Sequence, residues 1–259
     1  DGAVNFAADV TFATGADIIT ASAGTSNTRV GVNAGDAIIS GGNYNVFVGD
    51  ESGTATTTGD GNVGVGYSAL ATNISGLYNT AVGYNALNSN TATANTAVGY
   101  NALLLNAAGS ENTAVGYLSL DANTTGNYNT ALGRDSLSGN TTANHNTAIG
   151  RLSLFTNSTG ANNTAVGSSS LQYSTTASDN TAVGYNTLVT NTTGHSNVAM
   201  GADALDANTE GAANTSLGKG SMTTNTTGSN NVAVGKSALE ANTTANYNTA
   251  VGERSMVDN

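Results

Sequence analysis

From residue 27 onward the apolar and polar positions recur with a period of about seventeen. Neither the two-residue alternation of a long strand nor the 3.6-residue period of a helix fits. The string Asn-Thr-Ala-Val-Gly, with conservative changes, returns at Asn27, Asn45, Asn62, Asn79, Asn95, Asn112, Asn129, Asn146, Asn163, Asn180, Asn197, Asn214, Asn231 and Asn248. Successive spacings are 18, 17, 17 and 16, then 17 nine times, which makes fourteen copies. Repeats on this scale are the signature of an array whose units stack.

Each column carries a physical instruction. The residue after the anchor is always β-branched, from Thr28 to Thr249; the next is usually alanine; the third is Val, Leu, Ile or Met (Val82, Val98, Val115). The fourth is glycine in every copy, as at Gly83, Gly99, Gly116 and Gly133. This reads as a short strand closed where the backbone must bend or be approached closely. Seven residues past the anchor stands a small residue (Ala86, Ser119), and at the eighth, from the third copy on, Leu or Met (Leu87, Leu103, Leu120, Met222). That pair predicts a second short strand with one large apolar side chain. Asn-Thr or Asn-Ser follows, often with glycine two residues on (Asn123, Thr124, Gly126), and these residues form turns by local hydrogen bonding and tolerance of positive φ.

A helix is excluded, because glycine, asparagine and β-branched columns each disfavour it by several tenths to ~1 kcal/mol per residue. A seventeen-residue unit cannot close its own core and must stack at ~4.8 Å per coil. The expected fold is all-β: a parallel β-solenoid, or β-roll, of about fourteen 17-residue coils and roughly 65 Å in length. Such a coil is thin. Val and Leu stripes repeated along the whole rod exceed the apolar patch a monomer tolerates. A coaxial homo-oligomer, in threefold arrangement, is therefore expected; the alternative is a monomer whose apolar columns all point inward.

Composition sharpens this picture. Leu, Ile, Val and Phe make up only about 18% of the 259 residues, a level often met in disordered chains. A net charge of −11 is small for disorder, so order must come from regularity. The acidic balance and the scattered basic residues (Arg29, Arg134, Arg151, Lys219, Lys236, Arg254) argue against a nucleic-acid partner. No run approaches the ~18 apolar residues of a membrane span, so membrane insertion is not expected. The first residues show no signal-peptide pattern. Cysteine is absent, which removes disulfides and thiolate sites and fits an extracellular or virion-surface protein.

The array resembles two related groups. The Asn-Thr-Ala-Val-Gly core resembles the left-handed parallel β-roll of trimeric autotransporter adhesin heads, whose repeat is shorter. It is more similar to the Asn-Thr-Ala-Val-Gly-Tyr array of phage tail-fibre and related surface-fibre proteins. Tyr84-Asn85-Ala86-Leu87, Tyr100-Asn101-Ala102-Leu103 and Asn191-Thr192-Thr193-Gly194 carry that likeness, which spans about residues 27 to 256. The resemblance implies a trimeric fibre or adhesin shaft that presents a tip to a cell-surface glycan or receptor.

Residues 1–26 form a separate segment ahead of the repeat domain at 27–259. Val4, Phe6, Val10 and Phe12 alternate, which predicts a strand with one aromatic face. It either caps the first coil or joins to the end of another subunit, giving an end-to-end filament. The first two copies, with Arg29, Phe47, Gly35 and Gly53 in columns otherwise held by other residue types, read as an atypical terminal cap.

Candidate chemistry is sparse. Asp50, Glu51 and Asp60 form a local acidic cluster, read as a solvated turn. His145 and His195 fall in equivalent turns just before Asn146 and Asn197 and read as surface residues. No calcium nonapeptide or phosphate loop is present. No cofactor is expected, and the chain reads as a non-enzyme. Asn-x-Ser/Thr triplets at Asn73, Asn123, Asn140, Asn157, Asn162, Asn191, Asn214, Asn225 and Asn242 lie mostly in the turn column, so turn chemistry explains them without glycosylation; in a glycosylating host those at the turns are expected to be accessible. The tyrosines after the glycine (Tyr67, Tyr84, Tyr100, Tyr117, Tyr185) form a surface aromatic column, either a stacked ladder or a set of sugar platforms. Threonines in register from Thr80 to Thr181 motivate an ice-binding alternative, weakened because the partner column is valine.

Overall fold

The computed structural model describes residues 24–257. They form one sheet of fourteen three-residue strands, from β1 (Thr28–Val30) to β14 (Thr249–Val251), ordered as in the sequence. Every neighbouring pair is parallel and in register, so Thr113 faces Thr130, Ala114 faces Ala131 and Val115 faces Leu132. The chain is thus an all-β parallel β-solenoid of about thirteen turns, with no helix among the described residues. The Val4, Phe6, Val10 and Phe12 segment lies outside the described residues.

Each strand follows from its columns. β-Branched residues favour extended backbone, and the strand ends at a glycine with φ between +122° and +141°. At Gly116 a Cβ would sit 2.4 Å from the carbonyl oxygen of Gly133 in the next coil, so backbone stacks directly on backbone. A side chain there is excluded by contact as well as by φ.

The expected second strand does not form. Residues six to ten past the anchor make turns instead. A strand sends successive side chains to opposite faces, yet Ala86 and Leu87 are both fully buried. The backbone achieves this by entering the left-handed region twice, at Asn85 (φ 53°) and Leu87 (φ 50°). The pattern recurs down the rod, including Leu103, Leu120 and Leu154. Left-handed backbone costs a leucine roughly 1–2 kcal/mol. Burying its side chain returns about 2 kcal/mol, so the geometry holds where the leucine fills the core. The amides of these two residues diverge: Asn85 donates to the Tyr67 carbonyl of the preceding coil, and Leu87 donates to Ala102 of the following one.

Two columns of asparagine complete the interior. The amide of Asn112 donates to Asn95 Oδ1 at 2.9 Å, and its Nδ2 donates to the Gly126 carbonyl of its own coil at 2.8 Å. Eleven residues along, Asn123 Nδ2 donates to Asn106 Oδ1 at 2.7 Å and to the same Gly126 carbonyl at 3.0 Å. Asparagine suits both columns because its carboxamide donates and accepts at once, satisfying buried backbone within and between coils. The sixteen-residue coil from Asn79 keeps this frame. Its missing residue comes from the outer turn, and Ala92 supplies the carbonyl that Asn79 and Asn90 both bind.

The rule is broken most clearly at the first two coils and at Ser174. At the first two coils Gly35 and Gly53 replace the core leucine, and Phe47, fully buried, replaces the strand alanine. A Cβ on Gly53 would lie 2.4 Å from the Phe47 ring, so the ring occupies the volume a leucine would need. At Ser174 the second asparagine column is interrupted. There Asn157 Oδ1 and Ser174 Oγ are buried without a hydrogen-bond partner.

Candidate functional site

Because alanine faces inward, the β-branched residue before it and the aliphatic residue after it both face out. The result is a narrow outer face with a threonine column and a valine column running the length of the rod. Val82 is 36% exposed, Leu132 46% and Met200 50%, while Leu87, Leu103 and Leu120 are fully buried. Val98 and Val115 in the same outer column are half-buried. The apolar columns therefore divide, leucine inside and valine outside. The hydroxyls of Thr80, Thr96, Thr113, Thr130, Thr147, Thr164 and Thr181 show no partner within the described residues. By contrast, Thr124, Thr141, Thr175, Thr192 and Thr209 donate to carbonyls of the next coil.

Just past the glycine column lies the aromatic row. Tyr67, Tyr84, Tyr100 and Tyr117 stack with ring centroids 5.1, 5.4 and 5.2 Å apart and planes within 20°. The Arg134 guanidinium closes the row 5.6 Å from the Tyr117 ring. A ladder has formed, and it consumes the ring faces: sugars stack on faces, and here mainly edges and hydroxyls meet solvent. Tyr185 stands apart, since Ser168 and Ala202 hold its column in the adjacent coils.

The charged residues do not converge. Asp50 Oδ1 accepts from the Val32 amide, Glu51 Oε1 from Asn33 Nδ2, and Asp60 Oδ1 from the Asn43 amide. Each carboxylate thus caps a separate group one coil away. No group of three or more His, Cys, Asp or Glu that could hold a metal occurs among the described residues. The two histidines occupy neighbouring columns rather than equivalent ones. His145 stacks on Tyr128 at 4.9 Å, whereas His195 Nδ1 lies 3.3 Å from Ser196 Oγ. Desolvation raises the carboxyl pKa of Asp121 and of Asp206 above the usual range.

The expectation of accessible glycosylation triplets is overturned. Asn73, Asn123, Asn140, Asn157, Asn191, Asn214, Asn225 and Asn242 are buried, with their Nδ2 groups bonded inside the coil. Only Asn162 of the nine is exposed. Turn propensity alone could not separate inward from outward asparagines. The usable signal was that one column repeats asparagine while its neighbours vary.

No protein-family model matches the chain, and no curated protein or solved structure matches it.

Proposed function

We propose that the protein is the shaft of a surface fibre or adhesin, of phage tail-fibre or bacterial appendage type, built as a coaxial homotrimer outside the cell. One observation carries this reading: the outer aliphatic column faces outward along the full rod, exposed at Val30, Val82, Leu132, Met200 and Val251 and half-buried at the positions between. A stripe about 60 Å long and 10 Å wide offers roughly 600 Å² per chain, divided between the two neighbours of a trimer, so the columns flanking it complete the interface. Another copy of the same chain supplies the same residue at the same rise in every coil. The mechanism is mechanical: an uninterrupted backbone ladder makes a stiff spacer whose tip meets a glycan or receptor. Light scattering should give three times the 25.5 kDa chain mass. Val98→Lys with Val115→Lys should reduce it to one chain without unfolding. A wild-type monomer at micromolar concentration overturns the reading. In the filament version, joined through residues 1–26, deleting that segment abolishes filaments in micrographs.

A second reading, an ice-binding surface, rests on the partnerless hydroxyls of the Thr80–Thr181 column, which stand in register, although the column beside them is valine rather than a second threonine. Thermal hysteresis at millimolar protein supports it, and its absence dismisses it.

A further inference from the structure

We propose that Tyr67, Tyr84, Tyr100 and Tyr117 form an oxidative cross-linking site, at which successive coils are joined by dityrosine. The fold holds four phenols of one chain in a row, each 5.1–5.4 Å from the next and tilted by 11–20°. The four residues are 45–48% exposed, so a one-electron oxidant in solution can reach them. The stacking is imposed by the in-register sheet beneath, where Val65 faces Val82, Val82 faces Val98 and Val98 faces Val115. Neighbouring radicals are thus held together before they form, which removes the encounter step that limits coupling between separate molecules.

The oxidant is hydrogen peroxide acting through a haem peroxidase. Each of two adjacent phenols loses one electron and one proton to become a phenoxyl radical. The radicals join through a carbon–carbon bond ortho to the oxygens, and each ring regains aromaticity by passing its ortho hydrogen to its own oxygen. Two tyrosines and one hydrogen peroxide give one dityrosine and two waters. The link ties coils that are otherwise held by hydrogen bonds and burial, so it fastens the rod between β3 (Val63–Val65) and β6 (Thr113–Val115).

Two tyrosines outside the row serve as internal controls. Tyr128 stacks on His145, and Tyr185 has no aromatic neighbour in its column. Wild-type protein treated with peroxidase and hydrogen peroxide should gain the blue fluorescence of dityrosine while staying at single-chain mass on a denaturing gel. Mass spectrometry of a digest should find pairs that have lost two hydrogens between Tyr67 and Tyr84, Tyr84 and Tyr100, or Tyr100 and Tyr117. The double variant Tyr84→Phe/Tyr100→Phe keeps the stacked rings but leaves only the two outer phenols, three coils apart, and should lose most of the signal. Tyr128→Phe/Tyr185→Phe should keep it. Equal circular-dichroism melting curves show that both variants fold. The proposal is overturned by the absence of ladder cross-links in the wild type, or by an undiminished yield in Tyr84→Phe/Tyr100→Phe.

Discussion

The first two coils and the body of the rod solve one packing problem with different residues. In the body, the strand contributes alanine and the turn contributes a left-handed leucine, as with Ala114 and Leu120. In the first two coils the turn contributes glycine, at Gly35 and Gly53, and the strand contributes Phe47. The large side chain has moved from turn to strand while the filled volume is kept. What both regions share is the glycine that ends the strand, so the backbone frame is fixed and the core filling is negotiable.

Breaking the shared frame should have the largest effect. A Cβ at Gly116 would lie 2.4 Å from the Gly133 oxygen, and one at Gly49 would lie 2.7 Å from the Gly66 carbonyl, both at strongly positive φ. Gly116→Ala and Gly49→Ala should each cost about 4 kcal/mol or more, the range reached when backbone cannot relax. Hydrogen exchange will separate them: Gly49→Ala should expose only the first coils, whereas Gly116→Ala should open the middle of the rod.

The negotiable filling gives the next test. Phe47→Ala should destabilise by about 3–5 kcal/mol, as a large buried side chain leaves a cavity. Gly53→Leu alone should also destabilise, because its side chain meets the Phe47 ring. Together they restore the pattern of the body, so the double variant should be more stable than either single one. Independent, additive losses in melting temperature would show that the two regions do not use the same volume.

The frame was legible in the sequence and the filling was not. The period, the strand after each anchor, the closing glycine and the solenoid all followed from columns with one physical reading. The left-handed leucines did not, because propensity assigns Leu87 or Leu120 to extended or helical backbone. Only the adjacency of two inward residues, Ser119 and Leu120, tells against a strand, since a strand cannot bury both. Outside the anchors, asparagine was read as a turn former, although Asn123 and Asn162 have opposite fates: one is sealed in the core and the other is exposed. The outward aspect of the valine column was likewise open, because an alternating triplet does not say which side is in.

The interrupted asparagine column allows a smaller and opposite change. Ser174→Asn should supply the donor that Asn157 Oδ1 lacks and extend the ladder to Asn191, stabilising by about 1–2 kcal/mol. At this chain length that corresponds to a rise of roughly 2–6 °C in melting temperature. Asn123→Ser, which would create the same gap in an unbroken stretch, should lower it by a similar amount. If Ser174→Asn destabilises instead, the coil has closed around serine and the column is not one continuous ladder.

The smallest effect contrasts carboxylates that share a column. Asp36 accepts a hydroxyl from Thr54 in the following coil, and Asp121 accepts one from Ser138 at 2.6 Å. The equivalent residue after Asp206 is Thr223, whose hydroxyl turns to the Gly220 carbonyl, leaving Asp206 Oδ1 buried without a partner. Desolvation and then the nearby charge of Asp203 raise the Asp206 pKa above its ordinary 3.8. A carboxyl whose pKa is higher folded than unfolded binds its proton more tightly in the native state. Its charged form therefore weakens the fold above the native pKa, and stability recovers as pH falls through that value. Asp206→Asn removes the charge and should raise the melting temperature at pH 7 by about 1–2 °C, a modest gain because the group is half-buried and partly screened. The difference between variant and wild type should shrink as pH falls through the native pKa, which lies above 3.8, because the native carboxyl then takes up its proton. A gap that stays constant with pH would assign the gain to the new amide group rather than to the lost charge.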